Sequence, residues 1–485
     1  MSLRVLSVAS EAVPLVKTGG LADVAGALPE ALAAHGVAVT TLLPGYPAVM
    51  KAIGKPRAVH NYDTLLGEPA RLLAGKIAGH PLIVLDAPTF FAREGSPYAD
   101  PAGRDWADNW RRFAALGRAA ADLAGGAAGR RRFDLLHAHD WQAAMAPAYL
   151  RFAPPVGTKP VPAVMTIHNM AFQGHFSREV FAGLGLPRRA WSVDGVEYHG
   201  GVGFLKAGME AASAITTVSP GYAGEIRTAE FGLGLEGLIV SRGERVHGIV
   251  NGIDTALWNA ASDPQLPQNF TAKSLGHRKA NKRALEAEFG LEPGDAPLFI
   301  VVSRLTWQKG IDVLAEVLDH LVGLGGRLAV LGAGDAALER ALAEGAARHP
   351  GRIGLRIGYD EPLSHRMQGG GDAILVPSRF EPCGLTQLYA LAYGCVPVGA
   401  RTGGLADTGI DAPLAALAAG VATGVQFVGS NYDALALAVS RTIALYHQPD
   451  RWRVLQRNGM KADFSWGRSG KAYAELYARL VDEQQ

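Results

Sequence analysis

Short apolar, β-branched runs recur along this chain with helix-length amphipathic segments between them, and few folds accept that pattern. The first series covers residues 3–9, 37–43, 82–85, 135–139, 163–168, 214–219 and 246–250. A second covers residues 298–302, 328–331, 353–357, 373–376 and 396–399. Runs without polar alternation predict strands buried on both faces, and helix-length connections force neighbouring strands to be parallel. The expected fold is α/β, a doubly wound parallel sheet built twice. The segment Asn251-Gly252-Ile253-Asp254 separates the series, so the expected domains are 1–252 and 253–450, followed by a helical segment, 451–485, that packs back on the first domain. Residues 255–276 carry Asp, Pro, Gln and Asn without a period and read as a linker or irregular entry segment.

Composition narrows what such a fold could do. At 485 residues, 48% apolar and 19% charged, the chain can bury two large cores. A formal net charge of +2 supplies no overall field for nucleic acid or an anionic membrane. Cys383 and Cys395 are the only cysteines, too few for a disulfide framework or a four-Cys zinc site, which fits a reducing compartment. No stretch reaches the roughly 18 apolar residues needed to span a bilayer. The first ten residues are too short and too weakly basic for a secretory signal, so the expectation is cytoplasmic. Glycine is in excess, 60 of 485 residues, as tight strand-to-helix turns or loops pressed against a ligand require.

One device occurs twice. Lys17-Thr18-Gly19-Gly20-Leu21-Ala22-Asp23 and Arg401-Thr402-Gly403-Gly404-Leu405-Ala406-Asp407 differ only in the choice of cation. Each follows a strand and precedes a helix, where backbone N–H groups and the positive end of the helix dipole can meet an anion. The plain alternative, a tight turn with an N-cap, explains one copy better than two.

Other polar groups fall where strands end, the edge at which open parallel sheets bind ligands. His137, His139 and Asp140 end one strand; Asp140 reads as the N-cap of a helix from Trp141, and the histidine pair lacks a third metal ligand. His168 ends the next. Arg304 and Lys309, in Ser303–Gly310, could both reach one diphosphate. In Ser378–Thr386, Pro382 suits a first helical position, leaving Glu381 beside a helix N-terminus, able to accept sugar hydroxyls or simply to cap. Cys383 has no legible base partner. Gly332-Ala333-Gly334 starts like a dinucleotide fingerprint but has Ala337 in place of the third glycine, and suits a loop under a nucleotide's sugar or phosphate.

Together these segments resemble the bacterial glycogen synthase and plant starch synthase family of retaining glycosyltransferases, from Lys17 to about Asp450. The resemblance implies two Rossmann-like domains facing across a cleft, the GT-B type of architecture, with the nucleotide-sugar donor held mainly by 253–450 and the growing glucan by 1–252. It implies transfer of glucose from ADP-glucose, with retention, to the non-reducing 4-hydroxyl of an α-1,4-glucan. Arg304 and Lys309 would neutralise the leaving diphosphate, with N–H groups from Gly403 and Gly404. Lys17, Gly20 and Asp23 would complete the donor site. His168 would bond the transferred glucose, Glu381 its hydroxyls, and Asp140 would stand close by. Tyr359 would stack on the base, and Asn251, Gly334, Gly384, Leu385 and Thr386 would line the donor pocket. Tyr98 would touch the acceptor. No metal or other cofactor is expected, nor any nucleic-acid or membrane partner.

The sequence departs from the family pattern at Gly409, where a β-branched residue is expected early in the helix. Two rivals stand beside this reading: a nicotinamide-dependent oxidoreductase using the Gly332–Gly334 loop, and a non-catalytic glucan-binding protein that kept the fold. The incomplete fingerprint counts against the first. The intact Lys17, His168, Arg304, Lys309 and Glu381 count against the second. A sucrose synthase or sucrose-phosphate synthase relative is a poorer match at residues 17–24.

Overall fold

Every one of the apolar runs coincides with a strand, although the runs at 3–9, 163–168, 214–219 and 246–250 extend one or two residues past its end, and the run at Leu135–His139 is buried at all five positions. The structure, a computed structural model, describes residues 2–127, 132–157 and 159–484. It divides into two units, residues 1–252 with 466–485 and residues 253–465.

In the first unit the strands are β1 (Leu3–Val8), β2 (Val37–Pro44), β3 (Arg57–Leu65), β4 (Glu68–Ile77), β5 (His80–Asp86), β6 (Leu135–His139) and β7 (Ala163–Ile167). A small antiparallel sheet follows, β8 (His175–Phe176), β9 (Glu197–Tyr198) and β10 (Gly201–Gly203); then come β11 (Ala214–Thr217) and β12 (Val246–Gly248). The main sheet runs β12-β11-β7-β6-β1-β2-β5-β4-β3. It is parallel except at the β5-β4-β3 edge, which is antiparallel. That hairpin departs from the expected all-parallel sheet. Its outer strand, β3, is mostly exposed and polar, so it offers no continuous apolar run.

The second unit has β13 (Leu298–Val302), β14 (Arg327–Gly332), β15 (Ile353–Ile357), β16 (Ala373–Val376), β17 (Val396–Ala400) and β18 (Val425–Phe427). They form one parallel sheet in the order β15-β14-β13-β16-β17-β18. Strand β18 is three residues long with Gln426 at its centre, so it offers no apolar run to announce it.

The C-terminal region is not one segment. Helix Pro449–Lys461 belongs to the second unit, and helix Trp466–Asp482 to the first. The latter buries Tyr473, Leu476, Tyr477 and Leu480 against Val24, Leu28 and Leu32 of helix Gly20–Ala33 and against Val5 and Leu135 of the sheet. That stripe has the three-and-four spacing of an amphipathic helix. The residues read as a linker are also packed: Trp258 and Phe270 are buried, and the Trp258 indole stacks at 3.7 Å on His365 and on Tyr389. An aromatic sandwich replaces regular secondary structure as the anchor of this segment.

Candidate active site

Strand order reverses between β1 and β6 in the first unit and between β13 and β16 in the second. Crevices at such switch points, beyond the carboxyl ends of the strands, are where open α/β sheets hold ligands. Each unit gathers sequence-predicted residues there.

In the first unit, Asp140 follows β6 and His168 follows β7. Asp140 is not the N-cap that its position suggests: it is the first residue of helix Asp140–Ala143, with His139 before it and no side-chain cap. Its φ is 55°, a left-handed conformation that costs a non-glycine residue about 1–3 kcal/mol and must be held by its surroundings. The holding bonds run outward, since Asp140 Oδ1 accepts the His168 N–H at 2.7 Å and the carboxylate also accepts the Asn169 N–H. Burial pushes its pKa up to about 7 against the pull of those donors, and the nearby Glu11 charge adds to the rise. Asp140 therefore fixes the turn that carries His168.

Beneath that turn lies a chain of imidazoles. His168 Nε2 is 3.1 Å from His139 Nδ1, and His139 Nε2 is 3.3 Å from Ser7 Oγ. His137 Nδ1 is 2.7 Å from the Tyr477 hydroxyl and its Nε2 is 2.5 Å from Thr166 Oγ1. Burial drives His168 and His137 well below the ordinary imidazole range, with repulsion from His139 adding to both, and burial alone pushes His139 down to about 3. All three rings are neutral near pH 7, so His168 presents a hydrogen-bonding imidazole and no charge. No group of three or more metal-ligating side chains occurs among the described residues.

Sequence reasoning passed over Glu11, two residues beyond the last predicted strand position. It is buried, and it accepts from the backbone and hydroxyl of Thr18, the latter at 2.8 Å, and from the Tyr98 hydroxyl at 2.7 Å. It anchors the Lys17–Gly20 loop from below. The signal was an acidic residue directly after the strand at a switch point. Tyr98 belongs to this anchor, with its hydroxyl shared between Glu11 and Ser10, so that hydroxyl is not offered to a ligand. Lys17 Nζ pairs with Asp23 at 2.8 Å, and Gly20 opens helix Gly20–Ala33. Asn251, past β12, is buried with no partner for its Oδ1 among the described residues.

In the second unit, the loops after β13 and β16 meet. Lys309 Nζ bonds Glu381 Oε2 at 2.5 Å, and Ser378 Oγ donates to the same oxygen at 2.9 Å. Arg304 is exposed and enters none of the ion pairs of the described residues. Glu381 is not at a helix start: the helix begins at Thr386, with Leu385 before it, so Pro382 lies in the loop. The Thr386 hydroxyl reaches the Val302 carbonyl at 3.4 Å. Gln387 Nε2 ties the loop at Gly384 to the following helix, donating to the Gly384 carbonyl at 2.7 Å and to Thr408 Oγ1 at 3.2 Å.

The second copy of the Thr-Gly-Gly device works differently from the expectation. The Gly404 N–H donates to the Glu381 carbonyl at 3.0 Å, so it braces Glu381 and is not a spare donor for an anion. Gly403 starts the six-residue helix Gly403–Thr408, and Gly409 ends it, which explains why no β-branched helical residue stands at 409. A Cβ on residue 404 would collide with the Cys383 backbone. Gly404→Ala should therefore lose about 1–3 kcal/mol of stability through overpacking and should weaken donor binding; a melting temperature and donor KM equal to wild type would refute this.

Gly334 is likewise a packing glycine. Its N–H is taken by Glu339 Oε1 at 2.8 Å, and a Cβ would strike the Leu305 carbonyl. Tyr359, after β15, is 77% exposed, its hydroxyl bonded to Glu361 at 2.5 Å.

Residues 4–241 match the starch synthase catalytic domain family, and residues 282–458 match glycosyl transferases group 1. The glycogen synthase of Novosphingobium aromaticivorans is 73% identical over 485 residues, the whole of both chains. The chain belongs to the glycogen synthase family. The glycogen synthase of Mesorhizobium japonicum is 58% identical over 99% of this chain and all of that one. Among solved structures, the catalytic domain of starch synthase IV from Arabidopsis thaliana, bound to ADP and acarbose, superposes with a TM-score of 0.87 at 31% identity, over 99% of this chain and all of that one. As in other glycogen synthases, the activity is glucosyl transfer to a glucan, carried by a two-domain α/β architecture of the GT-B type. No helix of the described residues is long and apolar enough to cross a membrane.

Proposed function

We propose that this glycogen synthase takes ADP-glucose as donor, transfers glucose with retention to the non-reducing 4-hydroxyl of an α-1,4-glucan, uses no metal and works in the cytoplasm. The observation that carries the proposal is the pairing of Lys309 with Glu381 at the β13/β16 switch point, on the same loop as Arg304, which has no ion-pair partner among the described residues. Two cations on one short loop match a diphosphate leaving group and supply the charge that a metal would otherwise bring. The starch synthase IV neighbour, bound to ADP and acarbose, supports both the leaving group and the acceptor class.

In the reaction the donor C1–O bond breaks and the bonding pair leaves with the diphosphate. The acceptor O4 forms the new C1–O bond on the same face, and its proton passes to the departing diphosphate oxygen. Retention through a glycosyl-enzyme would need a free carboxylate nucleophile. Asp140 is engaged by backbone N–H groups, Glu11 by Thr18 and Tyr98, and Glu381 by Lys309 and Ser378. Those engagements favour same-face attack, with the rate set by stabilisation of the leaving group.

In this reading Arg304 and Lys309 hold the diphosphate, Glu381 holds glucose hydroxyls, and the neutral His168 hydrogen-bonds the transferred sugar. Tyr359 stacks on the adenine, while Asn251, Gly384, Leu385 and Thr386 line the donor pocket. Lys17, Gly20 and Asp23 add the second donor loop, and Tyr98 acts on that loop through Glu11.

The test is release of ADP or UDP from the matching nucleotide-glucose, with and without maltooligosaccharide, in buffer containing a chelator. Acceptor-dependent ADP release with elongation of the glucan, undiminished by chelation, is expected. Preference for UDP-glucose, or activity that collapses on chelation and returns with magnesium, would overturn the donor or metal-free part respectively.

A further inference from the structure

The loop that carries the two cations also presents a large exposed aromatic ring that the reaction as described does not use. Trp307 is 60% exposed, in the turn Trp307–Lys309, directly after Thr306 and three residues after Arg304. It is not a loose surface side chain. The Arg379 guanidinium lies over the indole at 4.4 Å, donates to the Trp307 carbonyl at 2.7 Å and forms a two-pronged pair with Asp312, both bonds 2.7 Å. The Arg379 N–H donates to the Gln308 carbonyl at 2.9 Å, and Gln308 Nε2 reaches the Phe380 carbonyl at 3.3 Å. The loops after β13 and β16 are thus joined by successive rungs, Trp307 with Arg379 and then, two residues along each loop, Lys309 with Glu381.

We propose that Trp307 is a stacking platform for the acceptor α-glucan, one rung outside the Lys309–Glu381 pair. The inference rests on the donor and acceptor reading above and adds a residue and a ligand contact to it. Cation–π stacking and the Asp312 pair fix the orientation of the ring before any ligand arrives, so little side-chain entropy remains to be lost on binding. A pyranose has an apolar C–H face edged by hydroxyls, and an oriented indole with adjacent guanidinium and carboxylate groups matches both parts. Topology separates this ring from the base. Tyr359 and Gly334 follow β15 and β14 on one side of β13, whereas Trp307 is braced by Arg379, which follows β16 on the other.

The experiment compares wild type, Trp307→Ala and Trp307→Phe by initial rates over a range of maltooligosaccharide concentrations and by retardation in native gels containing glycogen. Trp307→Ala should raise the glucan KM about 10-fold, the loss of one well-placed stacking contact, and should weaken retardation; Trp307→Phe should recover most of both. The ring is exposed, so melting temperatures should stay together, and the gel reads binding even in a variant with little turnover. Unchanged glucan KM and retardation in Trp307→Ala would overturn the proposal, as would a rise confined to the donor KM, which would place the ring with the nucleotide. Elongation of glucan by wild type separates these outcomes from failure of the parent reading, because that control involves no change at Trp307.

Discussion

Lys309→Ala should lower kcat by about 100-fold or more, a loss of about 3 kcal/mol in transition-state stabilisation. Charge develops on the diphosphate as the C1–O bond breaks, so a cation held beside it stabilises the transition state more than the bound donor. Lys309 is well placed for this, since its ammonium is largely buried and oriented by Glu381, whose carboxylate Ser378 also holds. The same substitution strands the buried Glu381 charge, which costs several kcal/mol of stability and would by itself lower activity through misfolding. A second variant separates the two effects. Lys309→Ala combined with Glu381→Gln removes the stranded charge and should regain most of the melting temperature without regaining kcat. Turnover of ADP-glucose within about threefold of wild type in a folded Lys309→Ala protein would remove Lys309 from the chemistry.

Much of the fold was legible because parallel strands buried on both faces leave an uninterrupted apolar signature, as in residues 298–302 and 373–376. The elements that escaped are those without it: the partly exposed strands β3 and β4, the two- and three-residue strands β8, β9, β10 and β18, and the division of the C-terminal region at residues 462–465. Periodicity also misjudged residues 255–276, because a segment anchored by Trp258 and Phe270 inserted into a neighbouring surface needs no period at all.

The candidate site was legible in its positions and less so in its contacts. Lys309, Glu381, Asp140 and His168 stood out because each follows a strand at the edge where ligands bind. Sequence spacing could not show that Glu381 takes Lys309 and the Gly404 N–H as partners, since those bonds cross 72 and 23 positions of chain. For the same reason the duplicated Thr-Gly-Gly loops looked equivalent. One opens a fourteen-residue helix anchored through Thr18 to Glu11; the other opens a six-residue helix and braces Glu381. Identical local sequence was given two roles by different tertiary neighbours.

Asp140→Asn should separate stability from activity by the sign of a pH dependence. The folded-state pKa of Asp140, about 7, lies above the ordinary carboxyl value of 3.8 because burial disfavours the charge. Its protonated form therefore contributes stability that is fully present below about pH 4 and is lost as pH rises through about 7. Over that window the wild type gives up about 4 kcal/mol. Asparagine does not titrate. Its carbonyl can accept the His168 N–H, but its amide nitrogen cannot accept the Asn169 N–H as the second oxygen of the protonated Asp140 can, so the variant should be less stable by about 1–3 kcal/mol at pH 5. The deficit should shrink through neutrality and reverse by pH 8, read as a crossing of the two melting-temperature curves. Activity should not follow. With His168 in its proposed role, a shifted turn at residues 168–169 would displace it from the transferred glucose, and misplacement by about 1 Å costs about 100-fold in rate, so the variant should be slow even where it is the more stable protein. A melting-temperature gap that stays constant from pH 5 to 8 would show that Asp140 does not titrate in that range. Near-normal rates alongside the crossing would show instead that its strained position serves the fold and not the transfer.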